Sequence, residues 1–325
     1  MRAELPPARE IAETFLHQAD KEAKERESAV ARRLLGFACF CQGEFTAAQQ
    51  HLEGAIQISH PTRDQDAELS FGIDTRFGAK AYLALTSWAL GDSGRAVHFI
   101  EEAVAYVAGL DHVPTLANAY AYKVMLELLR GDSNAAQTAR QLVDLSREHG
   151  IPNFLTWGLW SAAWANARFA DRKAGLTEFQ RVMAERELPL WAPFYQGLLG
   201  ELEAESELVE GALTRIEDAL AFSTRTGARW TDAFLQRIRG EILLKCGSEN
   251  TAPAEDAFLC AIAIAQQQKA KSFELRAALS LARLYQSVGR SADAHAVLAP
   301  ALEGFSPTQE FPQIAEAQPL LAAIM

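Results

Sequence analysis

The stretch Gly36-Phe-Ala-Cys-Phe-Cys-Gln-Gly43-Glu-Phe-Thr-Ala-Ala48-Gln-Gln-His-Leu52-Glu-Gly-Ala55 decides the fold. Its spacing, Gly36-x6-Gly43-x4-Ala48-x3-Leu52-x2-Ala55, returns unchanged as Ala84-x6-Gly91-x4-Ala96-x3-Ile100-x2-Ala103. It returns again as Val124, Gly131, Ala136, Arg140, Val143, and as Ala282, Gly289, Ala294, Leu298, Ala301. Two degraded copies run Ala163, Ala170, Gly175, Phe179, Val182 and Gly200, Glu207, Ala212, Ile216, Ala219. In a seventh, two extra residues lengthen the turn: Gly240, Gly247, then Ala254, Phe258, Ala261.

Each position in the pattern has a physical task. A small residue midway along a first helix lets a second helix cross closely. Seven residues later Gly ends the first helix, because it enters the left-handed conformation without a Cβ penalty. Asp92, Asp132 and Ser248 follow their turn glycines and are expected to cap the next helix. Alanine, a large apolar residue and alanine at spacings of four and three form one stripe on the second helix. A helix hairpin with one such stripe cannot bury it alone, so neighbours must stack.

Small residue, Gly turn, Ala, large apolar, Ala is similar to the tetratricopeptide signature. The resemblance implies an all-α, right-handed α-solenoid of about seven helix pairs. The second-helix positions Ala48, Ala96, Ala136, Gly175, Ala212, Ala254 and Ala294 lie 37 to 48 residues apart, against about 34 in the standard motif, which implies longer helices. β-branched residues nowhere alternate with period two, so no strand is expected. The organisation expected is an orphan N-terminal helix over 1–25, repeats over 26–308, and a capping helix over 309–325. Leu5-Pro6-Pro7 with Ala8, Ala12 and Phe15 has the second-helix stripe but no first-helix mate, as if the chain began mid-repeat. Glu310-Phe311-Pro312 opens the cap, which is expected to run to Met325.

Several stretches resemble the C-terminal repeat region of large bacterial regulators. These join a class III adenylate or guanylate cyclase domain, or a winged-helix DNA-binding domain, to an AAA-type ATPase. The stretches are Leu116-Ala-Asn-Ala-Tyr-Ala-Tyr122, Leu128-Leu-Arg-Gly-Asp132, Thr226-Gly-Ala-Arg-Trp230, Arg239-Gly-Glu-Ile-Leu-Leu244, Leu275-Arg-Ala-Ala-Leu-Ser-Leu-Ala-Arg283 and Gly43 to Glu53. The resemblance implies a regulatory arm partnered by an ATPase or cyclase module. The connector from His60 to Arg76 departs from it, with Phe71-Gly-Ile-Asp-Thr-Arg76 where a Gly-Gln-Asp-Pro-like turn is usual.

No chemistry competes with this reading. There is no Gly-x-x-x-x-Gly-Lys-Ser/Thr phosphate loop and no Gly-x-Ser-x-Gly elbow. The seven histidines form no pair at metal spacing, and Cys39 and Cys41 point about 200° apart on a helix. Neither a catalytic residue, a cofactor nor a metal is expected, and all four cysteines read as buried free thiols of a cytoplasmic protein. A net charge of −11 repels a phosphate backbone, so nucleic acid is not an expected partner. No run of about 18 apolar residues marks a membrane span. The mixed run from Lys21 to Arg33 reads as a solvated helix face. Glu201, Glu203, Glu205 and Glu207 read as a solvated acidic ridge.

Counting from the small packing residues gives the groove expected to hold a protein or peptide segment. Phe37, Phe40, Trp88, Trp157, Trp160 and Trp164 form an aromatic half, and Glu201, Arg237, Glu241 and Arg283 a charged half. Core packing competes with binding for the aromatics, and ion pairing between adjacent helices competes with binding for the charges. A small-molecule sensor closing on the aromatic groove is the alternative function. The clamp of chaperone-binding repeats, a Lys and an Asn one turn apart, is not matched: Arg33 and Phe37 stand there.

Overall fold

The computed structural model describes residues 5–60, 73–110, 112–206, 209, 211–305 and 312–323. Among these, sixteen α-helices account for the regular structure, and no strand occurs. Helix α1 (Leu5–Lys21) precedes seven pairs. They are α2 (Glu25–Cys41) with α3 (Phe45–Ile58), α4 (Thr75–Ala89) with α5 (Ser93–Ala108), and α6 (Val113–Arg130) with α7 (Ala135–Glu148). Next come α8 (Pro152–Phe169) with α9 (Arg172–Glu185), and α10 (Ala192–Glu205) with α11 (Ala212–Thr226). The last are α12 (Asp232–Cys246) with α13 (Thr251–Gln268), and α14 (Lys271–Ser287) with α15 (Ser291–Leu302), before the final helix α16 (Pro312–Ala323). This is an all-α helical-repeat fold. It divides into two compact units, one carrying α1–α9 and the other α10–α16, apart from a few exchanged turn residues.

The spaced pattern works as its physics requires. A Cβ added at Gly36 would stand 2.4 Å from Leu52 Cγ, and one at Gly240 would stand 2.5 Å from Phe258 Cε1. The large second-helix residue therefore seats directly on the first-helix backbone. Leu52, Phe179, Ile216, Phe258 and Leu298 are wholly buried, each contributing about 1.5–3 kcal/mol by leaving water. At the turn, Gly131 has φ +67° and its neighbour Asp132 donates its N–H to Glu127 O at 2.9 Å, which satisfies carbonyls that the helix end leaves open. The two extra residues of the sixth pair are absorbed by a 3₁₀ turn, Ser248–Asn250.

Some local expectations need correction. In the third pair Val143 is buried as expected, but Ala135, Ala139 and Leu142 are buried where Ala136 is only half-buried and Arg140 is exposed. Burying Arg140 would carry its charge into the helix interface at a high desolvation cost. Of the three expected caps, Asp132 accepts from Asn134 N–H rather than from the helix proper. Side-chain caps occur elsewhere: Asp171 accepts from Ala174 N–H at 2.9 Å at the start of α9. Cys39 and Cys41 are buried, but Cys246 and Cys260 are exposed. The Lys21–Arg33 run is no single solvated face: it spans the α1–α2 turn, and Arg33 is only 4% exposed.

Candidate functional site

In the first unit the aromatic half lies inside. Phe40, Trp88, Trp157, Trp160 and Trp164 are all buried, and Phe37 is half-buried. Trp160 Nε1 donates to Val182 O at 3.0 Å, tying α8 to α9. Trp164 meets Phe169 edge-on at 5.6 Å between ring centroids. Phe40 meets Phe45 edge-on at 5.7 Å. The rings thus fill the space between helices instead of presenting faces to a ligand. Two tyrosines not picked out by the spacing join them. Phe37, Tyr82, Tyr122 and Trp157 touch in succession, at centroid distances of 4.8, 5.0 and 5.6 Å, across α2, α4, α6 and α8. Tyr82 and Tyr122 share a hydroxyl hydrogen bond of 2.5 Å.

In the second unit the charged half converges. Arg237 on α12 is 8% exposed, its Nη2 donating to Glu201 on α10 at 2.7 Å and its Nη1 to Glu241 one turn on at 2.5 Å. Burial pulls this guanidinium down, but the two carboxylates outweigh it and raise it overall. Ser280 on α14 donates to the same Glu241 oxygen at 2.8 Å, so Glu241 ties α12 to α14 while Arg237 ties α12 to α10. Arg276, another residue the spacing missed, is pulled down to about 10 by desolvation, the nearby Arg237 charge acting in the same direction.

These groups border an open cleft of about 410 Å³. Glu201, Glu205, Glu241, Lys245 and Arg283 line it, with Leu244, Phe258 and Leu284 supplying apolar surface. Arg283 stands exposed at its edge, paired with Glu316 of α16 at 2.5 Å. The acidic series does not form a ridge. Glu201 and Glu205 line the cleft, whereas Glu203 is 2% exposed and takes Arg215 at 3.1 Å. Glu207 lies outside the described residues. So does most of the 60–76 connector, although Asp74 at its end accepts Phe77 N–H at 2.7 Å and so caps the first turn of α4.

Among the described residues no group of three His, Cys, Asp or Glu side chains could hold a metal ion. No helix among them is long and apolar enough to cross a membrane.

No protein-family model matches the sequence, and comparison with curated proteins gives no match. Solved structures do match. Yeast Tom70 superposes with a TM-score of 0.51 at 16% identity, over 96% of this chain and 57% of the Tom70 chain. Aspartyl phosphate phosphatase F from Bacillus subtilis superposes with a TM-score of 0.53 at 13% identity, over 90% of this chain and 76% of that one. The chain thus spans a little over half the length of Tom70. At these identities the likeness is one of fold.

Proposed function

We propose that this protein is a non-enzymatic, tetratricopeptide-like scaffold that holds a segment of a partner protein in the cleft of α10, α12 and α14. One observation carries the reading: charged side chains at the rim and apolar surface below coincide in a 410 Å³ cleft, whereas the tryptophans are enclosed. A segment suited to it offers an apolar side chain to Leu244, Phe258 and Leu284, and a cation to Glu201, Glu205 and Glu241. Because Arg237 already neutralises much of Glu201 and Glu241, the cleft can also receive polar groups without a large net repulsion.

The finer assignment is a regulatory arm, with an ATPase or cyclase module as the partner. The stretches Leu116–Tyr122, Thr226–Trp230 and Leu275–Arg283 support it through their likeness to such regulators. The scaffold reading is tested by selecting binders from a displayed library of random 12-residue peptides against the full chain. Selected peptides should combine an aromatic or aliphatic anchor with Lys or Arg, and should lose affinity about tenfold, or roughly 1.4 kcal/mol, against Glu241→Gln. Binders indifferent to Glu241→Gln and Glu205→Gln alike would overturn this site.

A further inference from the structure

Arg237 divides its fork between two carboxylates instead of closing on one. Nη1 goes to Glu241 Oε1 on its own helix and Nη2 to Glu201 Oε1 on α10. Ser280 Oγ donates to that same Glu241 Oε1 from α14. One oxygen of Glu241 therefore already serves two donors, and one of Glu201 already serves a guanidinium. Glu205 follows Glu201 by one turn of α10 and lines the same cleft.

This division discriminates between the two cations a partner segment can bring. A guanidinium binds a carboxylate best through two parallel N–H groups, one to each oxygen in a common plane. At Glu241 and at Glu201 such a fork would compete with Arg237 for an oxygen it needs. An ammonium is a compact charge with three donors spread around one point. It can take single oxygens from carboxylates on two helices without displacing Arg237. The stem below the charge has a place too, because a chain of methylenes can lie along Leu244 and Leu284, which line the cleft with Glu241. Several cations together fit less well. Arg237 and the desolvated Arg276 already draw on the field of Glu201 and Glu241, and Lys245 and Arg283 also line the cleft.

We propose that the side chain this cleft selects is a single unmodified lysine, preferred over arginine, and that acetylation of that lysine releases the segment. The assignment rests on the reading of the cleft as the seat of a partner segment. Acetylation removes the charge and leaves one N–H where the ammonium had three. The partner is thus a chain with a solitary lysine beside an apolar residue, open to control by lysine modification.

Peptides recovered from the displayed library provide the test. Each is synthesised with lysine, arginine, Nε-acetyl-lysine or norleucine at the basic position and titrated against the full chain by fluorescence anisotropy. The lysine form should bind about tenfold more tightly than the arginine form, and at least about tenfold more tightly than the acetylated and norleucine forms. Ser280→Ala takes one donor off Glu241 Oε1 and should bring the arginine form several-fold closer to the lysine form. Loosened helix packing would weaken both forms alike and leave their ratio unchanged. Equal binding of the lysine and arginine forms, both weakened by Glu241→Gln, would leave the cleft standing and overturn the lysine assignment. So would an acetylated form that binds as well as the lysine form, or an unchanged ratio in Ser280→Ala. An empty selection, or peptides indifferent to Glu241→Gln and Glu205→Gln alike, would remove the cleft itself and the assignment with it.

Discussion

Arg33 and Arg237 occupy the same place in the repeat, three residues before the small packing glycines Gly36 and Gly240. Both point into the face made by the first helices, and both are less than a tenth exposed. Their surroundings differ. Arg237 is gripped by Glu201 and Glu241, which hold its guanidinium charged against the pull of burial. Arg33 has tyrosine rings where Arg237 has carboxylates, and burial prevails. One register in one architecture thus yields a guanidinium bonded to two carboxylates in the second unit and, in the first, one with no ion pair among the described residues. The contrast shows that the repeat dictates where a side chain points, while residues supplied by the next pair decide what it can do there.

The largest effect should come from the aromatic interior of the first unit. Trp164 is 3% exposed, and Trp164→Ala is expected to cost about 3–5 kcal/mol, the range for emptying a buried aromatic site. Urea denaturation measures it, and the loss should be insensitive to salt. A loss below about 1 kcal/mol would mean that the ring stands free to meet a partner, and the two units would then be alike in presenting a binding face.

Next in size is the ion pair. Arg237→Met leaves Glu201 and Glu241 facing each other without their cation, and is expected to cost about 3 kcal/mol. Adding Glu201→Gln and Glu241→Gln to that variant should recover most of the loss, because the charge left behind is the main cause. Failure of the triple variant to recover would place the cost in packing against Phe234, over whose ring the guanidinium lies at 5.6 Å. Arg33→Met is the opposite case. Removing a buried charge that has no ion pair among the described residues should raise unfolding free energy by about 1 kcal/mol. The opposite signs at equivalent positions are the sharpest form of the comparison.

Much of the fold could be read from spacing alone, and the reason is local. Gly36 against Leu52 and Gly240 against Phe258 are contacts within one hairpin, so the residues that make them stay a fixed distance apart in the chain. The third pair shows the limit. Its α7 buries Ala135, Ala139 and Leu142 together with Val143, and leaves Arg140, which spacing alone places in the stripe, exposed. The site was harder to read because it depends on contacts between hairpins, 36 to 40 residues apart, as in Arg237 with Glu201 and Tyr82 with Tyr122. First helices are packed on both sides by neighbouring pairs, so nearly every face is apolar and a Trp at groove spacing cannot be told from a core Trp. α8 is the clearest case, burying Thr156, Trp157, Gly158, Trp160 and Ser161 in close succession. Glu203 and Arg33 were hidden for the same reason: charge suggested solvent, and the next pair covered both.

The smallest stability effect belongs to an exposed residue at the edge of the cleft. Arg283 lies at the edge of the cleft and its pair with Glu316 is exposed on both sides. An exposed ion pair contributes about 0–1 kcal/mol, so Arg283→Gln should shift the unfolding midpoint by no more than a few tenths of a kcal/mol and should leave the helical circular dichroism unchanged. Its effect on a bound segment should be larger, because there the guanidinium meets its partner with less water around it. Peptides selected on the cleft should therefore change affinity when Arg283 loses its charge: acidic-flanked ones weaken several-fold and lysine-flanked ones tighten. Equal affinity for both peptide types would remove Arg283 from the binding surface and leave Glu201, Glu205 and Glu241 as its polar groups. The second unit would then select by one sign of charge.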